Sequence, residues 1–342
     1  LGPRRQPRPR PLAGAADRGL SPQVRRLGLL RQRGRRWRRD GRRLYEHRPG
    51  RVHPPQHRSR PDLSRLSGLR PSTISAIVEQ LLNEKWISDG PAARLPRGRR
   101  PTLLSLNADM VILVSDIRPN QVILAVVDLN GRFLSRETLP LVKDPVQGVE
   151  NIIAAMKRMI SNYPDRSFEG IGISLPGRVD PSTQRLILAP NLSWSQYDIK
   201  RAIERKIPLQ IEMDNAANAC LLSELWFGHM DGVREAVLVT ISEGVGTAIL
   251  ANGHLVTGKS GLAGEFGHVP IDPQGPQCGC GKRGCWEVFA SSRAAINFYA
   301  ESEPNVPRPS IMELLNLAED GDEKAIAALN RQASYLGQGL SI

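Results

Sequence analysis

Glu265-Phe-Gly-His268 and, after nine intervening residues, Cys278-Gly-Cys280-Gly-Lys-Arg-Gly-Cys285-Trp-Glu287 are the most informative motifs of this 342-residue chain. They contain three of its four cysteines and one histidine. One imidazole and three thiolates form a complete tetrahedral ligand set for Zn²⁺, and the intervening glycines let the backbone turn tightly around one ion. The spacing therefore predicts a structural zinc site, within an insert at residues 265–287, whose ligands are His268, Cys278, Cys280 and Cys285.

The alternative is that these cysteines form chance disulfides. A bridge between Cys278 and Cys280 would be badly strained, and nothing in the composition indicates an oxidising compartment. The chain also lacks a run of about 18 apolar residues and an apolar segment of the signal-peptide kind near its start. We therefore expect reduced cysteines, including the leftover thiol of Cys220, in a cytoplasmic protein that has no membrane span.

The positive charge of the chain is concentrated at its N-terminal end. Residues 1–60 hold 19 Arg, no Lys and three acids, a balance of +16, so the whole-chain charge of +13 leaves −3 for the other 282 residues. Residues 1–57 could be a basic arm that binds phosphates unselectively, or GC-rich DNA read in the wrong frame. We expect disorder there in either case.

Residues 58–106 predict a helix, a tight turn and a second helix. Leu63 and Leu66 form the inner face of the first helix, Gly68 supplies the turn, and Ser72 is the expected N-cap of the second helix. Amphipathic spacing then continues the second helix through Ile74, Ile77, Val78, Leu81 and Leu82. The short stretches 86–88 and 102–106 have the pattern of two strands of a wing.

This segment is interpreted as a winged helix-turn-helix that binds DNA. The alternative is a generic helical hairpin with a solvated basic loop. The turn at Gly68, the polar start of the second helix and the arginine-rich wing favour the DNA-binding interpretation. The candidate DNA contacts are Ser72, Thr73, Ser75, Arg94, Arg97, Arg99 and Arg100.

From residue 107 onward the pattern is that of an α/β domain. Short apolar runs predict strands, and Asn130-Gly131 predicts a hairpin turn. Longer periodic segments predict helices. The expected strands are 110–115, 121–128, 133–139, 170–175, 209–213, 236–241 and 246–251. The expected helices are 146–162, 218–228, 288–300, 310–318 and 322–336.

Five stretches resemble one family, the ROK proteins, which comprise sugar kinases and sugar-responsive repressors. They are Leu175-Pro-Gly-Arg-Val-Asp180, Pro190-Asn191-Leu, Asp214-Asn215-Ala216, Glu265-Phe-Gly-His268 and the Cys278–Glu287 cluster. The resemblance covers residues 60–342 and implies an actin-like (ribonuclease H-like) pair of α/β lobes over 107–342, with a sugar cleft between them. Repressor members of the family carry an N-terminal winged helix-turn-helix.

The resemblance also implies which residues contact the sugar. Carboxylates and amides at strand ends can pair with adjacent hydroxyls, and this pairing gives selectivity. His268 would hold zinc through one ring nitrogen and face the sugar with the other. The implied sugar contacts are Asn191, Asp214, Asn215, Glu265, His268 and Glu287.

Two enzymological interpretations remain at this point. In ROK kinases the position of Asp214 is the catalytic base, and a glycine-containing hairpin approaches the ATP phosphates. Here that hairpin is Asp116-Ile117-Arg118-Pro119-Asn120, in which Arg118 replaces the glycine and Pro119 removes an amide donor. The stretch Ser242–Thr247 corresponds to a second phosphate loop of the family, and its Glu243 would also repel phosphate. We therefore expect a sugar sensor without kinase activity, and the rival is an ATP-dependent hexose kinase with an appended DNA-binding domain.

The expected partners are operator DNA and a small sugar effector, and the expected assembly is a homodimer or tetramer. ROK chains normally continue past the last helix predicted here with another strand and an adenine-side loop. The resemblance therefore implies that residues 107–342 are an incomplete ROK domain. A third interpretation is a non-functional remnant of a longer repressor.

Overall fold

The computed structural model describes residues 58–92, 102–192, 194–195, 197–230 and 232–342. The predicted disorder of residues 1–57 lies outside these ranges, as do Arg94, Arg97, Arg99 and Arg100. The first described unit consists of β1 (Arg58–Ser59), α1 (Arg60–Ser67), α2 (Pro71–Asn83), β2 (Ile87–Ala92) and β3 (Thr102–Leu106). Its three strands form one antiparallel sheet in the order β1-β3-β2.

The turn between α1 and α2 is as expected, but the start of α2 is not. Gly68 has a φ of +69°, a conformation that glycine adopts without strain, and its amide donates to the carbonyl of Ser64. The prediction that Ser72 caps α2 is wrong, because the helix begins at Pro71 and Arg70 is the N-cap. Proline suits the first helical position, where its φ is already helical and an amide proton has no partner.

A small apolar core holds this unit together. Ile74, Val78 and Leu81 of α2 are each 1% exposed. Leu63 of α1 and Leu104 of β3 are buried in the same cluster as Ile74 and Val78. The opposite side of α2 starts with polar residues, of which Ser72 and Thr73 are exposed and Ser75 is half-buried.

The first lobe, residues 110–215, is built on a five-stranded sheet in the order β11-β7-β4-β5-β6. β4 to β6 form an antiparallel meander, whereas β7 and β11 run parallel to β4. The strands are β4 (Met110–Ile117), β5 (Gln121–Asp128), β6 (Phe133–Pro140), β7 (Ser167–Leu175) and β11 (Ile211–Asn215). Because β4, β7 and β11 are parallel, Asp116, Ser174 and Asp214 lie in one row near their carboxyl ends.

Helices and a small second sheet cover this lobe. Asp144 is the N-cap of α3 (Pro145–Ser161), and its side chain accepts from the amide of Gln147 (2.7 Å). The apolar side of α3 is buried in the main core. β8 (Arg178–Val179), β9 (Leu186–Ala189) and β10 (Trp194–Ser195) form a meander, with a 3₁₀ turn at Pro190–Leu192. α4 (Ile199–Glu204) leads back to β11.

The second lobe, residues 216–340, follows through α5 (Ala216–Phe227). Its sheet contains β12 (Ala236–Ile241), β13 (Val245–Ala251) and β14 (His254–Leu255), which are antiparallel neighbours. A 3₁₀ turn at Phe266–His268 is followed by α6 (Trp286–Ala290), α7 (Ser292–Ser302), α8 (Ile311–Glu319) and α9 (Glu323–Leu340). Among the described helices, none combines the length and apolarity needed to cross a bilayer.

Candidate metal and ligand site

The four residues predicted to bind zinc lie together. The ligand atoms of His268, Cys278, Cys280 and Cys285 are all within 4.8 Å of one another. Cys278 Sγ lies 3.5 Å from His268 Nδ1, and Cys280 Sγ lies 3.7 Å from Cys285 Sγ. The cluster can therefore hold a metal ion.

A tight hairpin brings the three sulfurs together. The amide of Cys278 donates to the carbonyl of Lys282 (2.8 Å), and the amide of Gly281 donates to Cys278 (3.0 Å). Gly281 and Gly284 have φ angles of +92° and +62°, and a Cβ at Gly284 would collide with the carbonyl of Asp272. A larger residue at position 284 would therefore displace the chain that carries the sulfurs.

Burial keeps two thiols of the cluster neutral when no cation is bound. Burial raises the pKa of the Cys278 thiol, and burial with neighbouring thiols raises that of Cys285 to about 12. Without a cation these groups stay protonated at neutral pH, whereas a metal ligand must be a thiolate. A bound metal ion would supply the positive charge that stabilises the thiolates.

Glu287 connects the cysteine cluster to the second-lobe sheet. It is 4% exposed and lies in α6, directly after Cys285 and Trp286. Its Oε2 accepts from the amide of Val245 (3.2 Å), and its Oε1 lies 3.8 Å from Cys278 Sγ. His268 Nε2, on the ring edge away from Cys278, lies 3.8 Å from Glu265 Oε2. Burial raises the pKa of Glu265, and His268 opposes this shift.

Asn191 and Glu287 both lie close to the loop between β12 and β13. A Cβ built on Gly244 would collide with Glu287 Oε2 and lie 3.3 Å from Asn191 Nδ2. The absence of a side chain at position 244 thus lets a carboxylate and an amide approach the loop backbone. Together with Glu265 and His268, these groups form a polar cluster that can pair with hydroxyls.

Asp214 and Asn215 lie at the end of β11. Asp214 Oδ1 accepts from the amide of Asn215 (2.7 Å) and from Asn218 Nδ2 (2.8 Å), and burial raises the pKa of its carboxyl group. Asn215 Nδ2 donates to the carbonyl of Gly177 (2.7 Å), and its Oδ1 caps α5 by accepting from Ala217 (2.7 Å). A cavity of about 40 Å³ lies beside them, which is room for roughly one water molecule.

The six predicted sugar contacts therefore fall into two groups. In the described part of the chain, no hydrogen bond joins Asp214 or Asn215 to Glu265, His268 or Glu287. Sequence reasoning missed the roles of two residues. Asn218 donates a hydrogen bond to Asp214, and Gly244 leaves space for the Glu287 carboxylate. The Asn215-Ala-Ala-Asn218 spacing, one helical turn apart, was the available signal for Asn218.

The hairpin between β4 and β5 contains an internal ion pair. Arg118 Nε donates to Asp116 Oδ2 (2.6 Å), and Ser174 Oγ donates to Asp116 Oδ1 (2.8 Å). The amide of Arg118 donates to the carbonyl of Gln121 (2.8 Å). Both oxygens of Asp116 and the amide of Arg118 are thus engaged within the protein.

Comparisons with known proteins agree with this architecture. A family model described as "ROK family" matches residues 116–342. The xylose repressor of Bacillus subtilis (strain 168) is 32% identical over 287 residues, which is 83% of this chain and 74% of the repressor. A solved structure of a ROK family transcriptional regulator, a homologue of the E. coli MLC protein, has a TM-score of 0.69 and 28% identity over 82% of this chain and 74% of the regulator.

A kinase structure is also similar. The ROK family glucokinase from Streptomyces griseus, in complex with glucose and AMPPNP, has a TM-score of 0.60 and 28% identity over 67% of this chain and 78% of the kinase. The two α/β lobes therefore have the fold shared by ROK regulators and ROK sugar kinases. Since the family model covers about two thirds of the sequence, the chain belongs to the ROK family.

Proposed function

We propose that this chain is a sugar-responsive transcriptional repressor of carbohydrate metabolism genes. Residues 58–106 act as a winged helix-turn-helix that binds operator DNA, and residues 107–342 bind the sugar effector. The working assembly is a homodimer, and since its partner is operator DNA, the protein acts in the cytoplasm.

The share of the chain that each relative covers carries this proposal. The two regulators cover 82–83% of the chain, whereas the glucokinase covers 67%. The difference of about 15% of the chain, roughly 50 residues, matches the size of the unit at 58–106. That unit is a separate bundle of two helices and three strands with its own apolar core.

The start of α2 is suited to a DNA groove. Ser72 and Thr73 are exposed and Ser75 is half-buried, while Ile74 and Val78 anchor the helix from behind. Short hydroxyl side chains at the start of a recognition helix can approach base edges closely. Outside the described residues, Arg94, Arg97, Arg99 and Arg100 would contact phosphates, which makes DNA binding sensitive to salt.

Zinc fits the cysteine cluster in both chemistry and spacing. Tetrahedral zinc, with Zn–S of about 2.3 Å and Zn–N of about 2.0–2.1 Å, separates two sulfurs by roughly 3.8 Å and a sulfur from a nitrogen by roughly 3.6 Å. Two of the six ligand separations match these values, 3.7 Å between the sulfurs of Cys280 and Cys285 and 3.5 Å from Cys278 to His268, and all six are within 4.8 Å. Coordination through Nδ1 keeps the His268 proton on Nε2, which faces Glu265. The metal thereby fixes the orientation of a ligand-binding histidine.

The polar groups near the cluster would bind the effector. Glu265, His268, Glu287 and Asn191 would pair with hydroxyls of one ring, and Asp214 and Asn215 would complete the site from the first lobe. Asp214 Oδ2 has no described partner, so it can accept from a hydroxyl. A sugar bound by both lobes favours one relative position of the lobes and shifts the DNA-bound population.

The rival function is a hexose kinase, and the glucokinase similarity and the acid at position 214 favour it. The β4–β5 hairpin argues against it. Arg118 forms an ion pair with Asp116, and Pro119 lacks an amide proton, so the turn offers few free donors for phosphate oxygens. We therefore assign Asp214 to sugar binding and propose no catalytic residue.

The repressor proposal is tested by gel shifts with palindromic DNA sequences from the region upstream of the gene. Each DNA is titrated in the presence of a panel of hexoses and pentoses. We expect one sugar to change the operator affinity at least about tenfold. Operator binding that is indifferent to every sugar would refute the sensor function. Sugar-dependent ADP formation that disappears in Asp214→Asn would support the kinase instead.

A further inference from the structure

A second polar cavity lies on the first lobe, among residues with no part in the proposed sugar site. It has a volume of about 240 Å³ and is lined by Arg185, Tyr197, Asp198, Arg201, Ala202 and Arg205. Three guanidinium groups and one carboxylate thus surround a single cavity. Arg201 and Arg205 are exposed and lie one helical turn apart at α4, so both face the same side.

The one carboxylate in this cavity is already engaged. Asp198 Oδ1 accepts from the amide of Arg201 (3.1 Å) and thereby caps α4, and its Oδ2 lies 3.3 Å from Arg185 Nε. For the guanidinium groups of Arg201 and Arg205, no acidic partner is found among the described residues. The lining therefore keeps a net charge of about +2, since one of three arginines is neutralised.

Neighbouring acids do not supply the missing charge, because they pair with lysines. Glu204 lies 3.8 Å from Lys200 Nζ, and Glu150 lies 2.6 Å from Lys206 Nζ. The segment 199–206 thus directs its lysines to acids and its arginines to the cavity. Like charges one helical turn apart repel each other, so an anion between them would be stabilising.

We propose that this cavity binds a small molecule carrying a phosphate group, at a site separate from the sugar site. Arginine suits a phosphate because its planar fork donates two parallel hydrogen bonds to the oxygens. A net charge of about +2 matches a phosphate dianion. The volume of 240 Å³ exceeds that of the phosphate alone and leaves space for a short organic part beside Tyr197.

The test uses the full chain without DNA or sugar, so its result does not depend on the proposed repressor function. Binding of inorganic phosphate and of glycerol 3-phosphate is measured by calorimetry at constant ionic strength, with chloride and glycerol as blanks. We expect Arg201→Gln/Arg205→Gln to weaken both ligands at least about tenfold. Lys200→Gln/Lys206→Gln changes the charge of the same segment, 199–206, by the same amount, and we expect it to leave binding within about twofold.

The two phosphate probes distinguish the source of the ligand. Tighter binding of glycerol 3-phosphate indicates a phosphate ester, and equal binding indicates free phosphate. The proposal is overturned if neither probe binds more tightly than chloride, or if the two double variants lose affinity equally. It is also overturned if the arginine variant binds both phosphate probes as tightly as the native chain.

Discussion

Gly244 shows how one missing side chain shapes the ligand site. Glu287 Oε2 packs where a Cβ would lie, and the Gly244 backbone precedes the amide that donates to Glu287. The φ angle of Gly244 is not in the left-handed region, so the backbone conformation here does not require glycine. Space, rather than backbone conformation, therefore explains the glycine.

Gly244→Ala is expected to weaken sugar binding at least about tenfold, because the added methyl group displaces the Glu287 carboxylate. Titration of the sugar by calorimetry measures the loss. Gly337→Ala is the matched control, because a Cβ there meets nothing within 4 Å. Full sugar affinity in Gly244→Ala would show that the sugar does not bind beside Glu287 and Asn191.

Cys280→Ser is expected to lose the metal and the sugar response before it loses operator binding. The substitution removes one ligand and loosens the segment between Glu265 and Glu287, whereas the unit at 58–106 has a separate core. Metal content by mass spectrometry and gel shifts with and without sugar measure both effects. Cys220→Ser, at the exposed cysteine outside the cluster, is the control. A variant that retains metal and inducer response would disprove the coupling.

Asp214 gives stability a definite pH dependence. Burial raises its folded pKa above the ordinary value of 3.8, so the folded state binds the proton more tightly than the unfolded state. The resulting stability is full below the unfolded pKa and is lost as pH rises through the folded pKa. Asp214→Asn removes the titrating group, so its stability relative to the native chain should increase as pH rises above about 4.

Urea unfolding at several pH values measures this difference. Asp180→Asn is the control, because hydrogen bonds from Ser182 and Thr183 lower the Asp180 pKa to about 2. Its difference from the native chain should be constant above about pH 5, where the carboxyl group is ionised in both the folded and the unfolded state. A constant difference for Asp214→Asn over the same range would show that its carboxyl group ionises normally.

At the scale of elements, strong patterns predicted the fold and local chemistry shifted its boundaries. The strands 102–106, 121–128 and 236–241 match the structure because alternating or continuous apolar runs define them. The helix predicted at 288–300 is two helices, α6 and α7. The break falls at Ser291, whose hydroxyl caps α7 by accepting from Ala294 (3.2 Å). A serine within an apolar pattern gives only a weak signal of such a break.

The strand predicted at 209–213 is displaced toward the C-terminus. β11 spans Ile211–Asn215 because Asp214 and Asn215 pair with Ser174 and Leu175 of β7. This register depends on the neighbouring strand, so periodicity along the sequence could not show it. The short strands β8 and β10, with two residues each, were missed for the same reason.

A matched pair of substitutions separates the two faces of α2. Ile74→Ala removes a side chain that is 1% exposed and should lower the free energy of unfolding of this unit by about 2–5 kcal/mol. Thr73→Ala, one residue earlier and exposed, should change stability by less than about 0.5 kcal/mol and weaken operator binding. Denaturant unfolding and gel shifts measure both effects. Unchanged operator affinity in Thr73→Ala would remove α2 as the recognition helix.

At the scale of the whole molecule, the cores of the three parts are separate. The unit at 58–106 has its own cluster, the first lobe has the largest one, and the second lobe has several. The cysteine cluster belongs to the second lobe, where Trp286 Nε1 donates to the carbonyl of Tyr335 (2.9 Å). The cysteine cluster is therefore connected through Trp286 to α9.

Removal of the metal is expected to destabilise only part of the molecule. In calorimetry, a chelator should lower the melting temperature of the second lobe, and zinc but not magnesium should restore it, because thiolates prefer zinc. The transition of the unit at 58–106 should stay in place. Equal shifts in both transitions would show that the metal stabilises the chain as a whole.

The candidate site was predicted in part. The spacing of His268 and the three cysteines indicated the cluster, because its ligands are close in sequence and chemically distinctive. Asn191 in its 3₁₀ turn and Glu287 in α6 are far apart in sequence, and only a family resemblance suggested that both lie at one site. The arginines around the second cavity have no motif, since Arg185 lies far in sequence from Arg201 and Arg205 and only the fold brings them together.

Cys220 has a practical consequence for following the protein at work. It is exposed on α5, the helix that leads from β11 to the second sheet, while the other three thiols face one another in their cluster. A maleimide fluorophore would attach to Cys220 in the zinc-loaded protein without any engineered cysteine. Its emission, at the border of the two lobes, would report their rearrangement in real time.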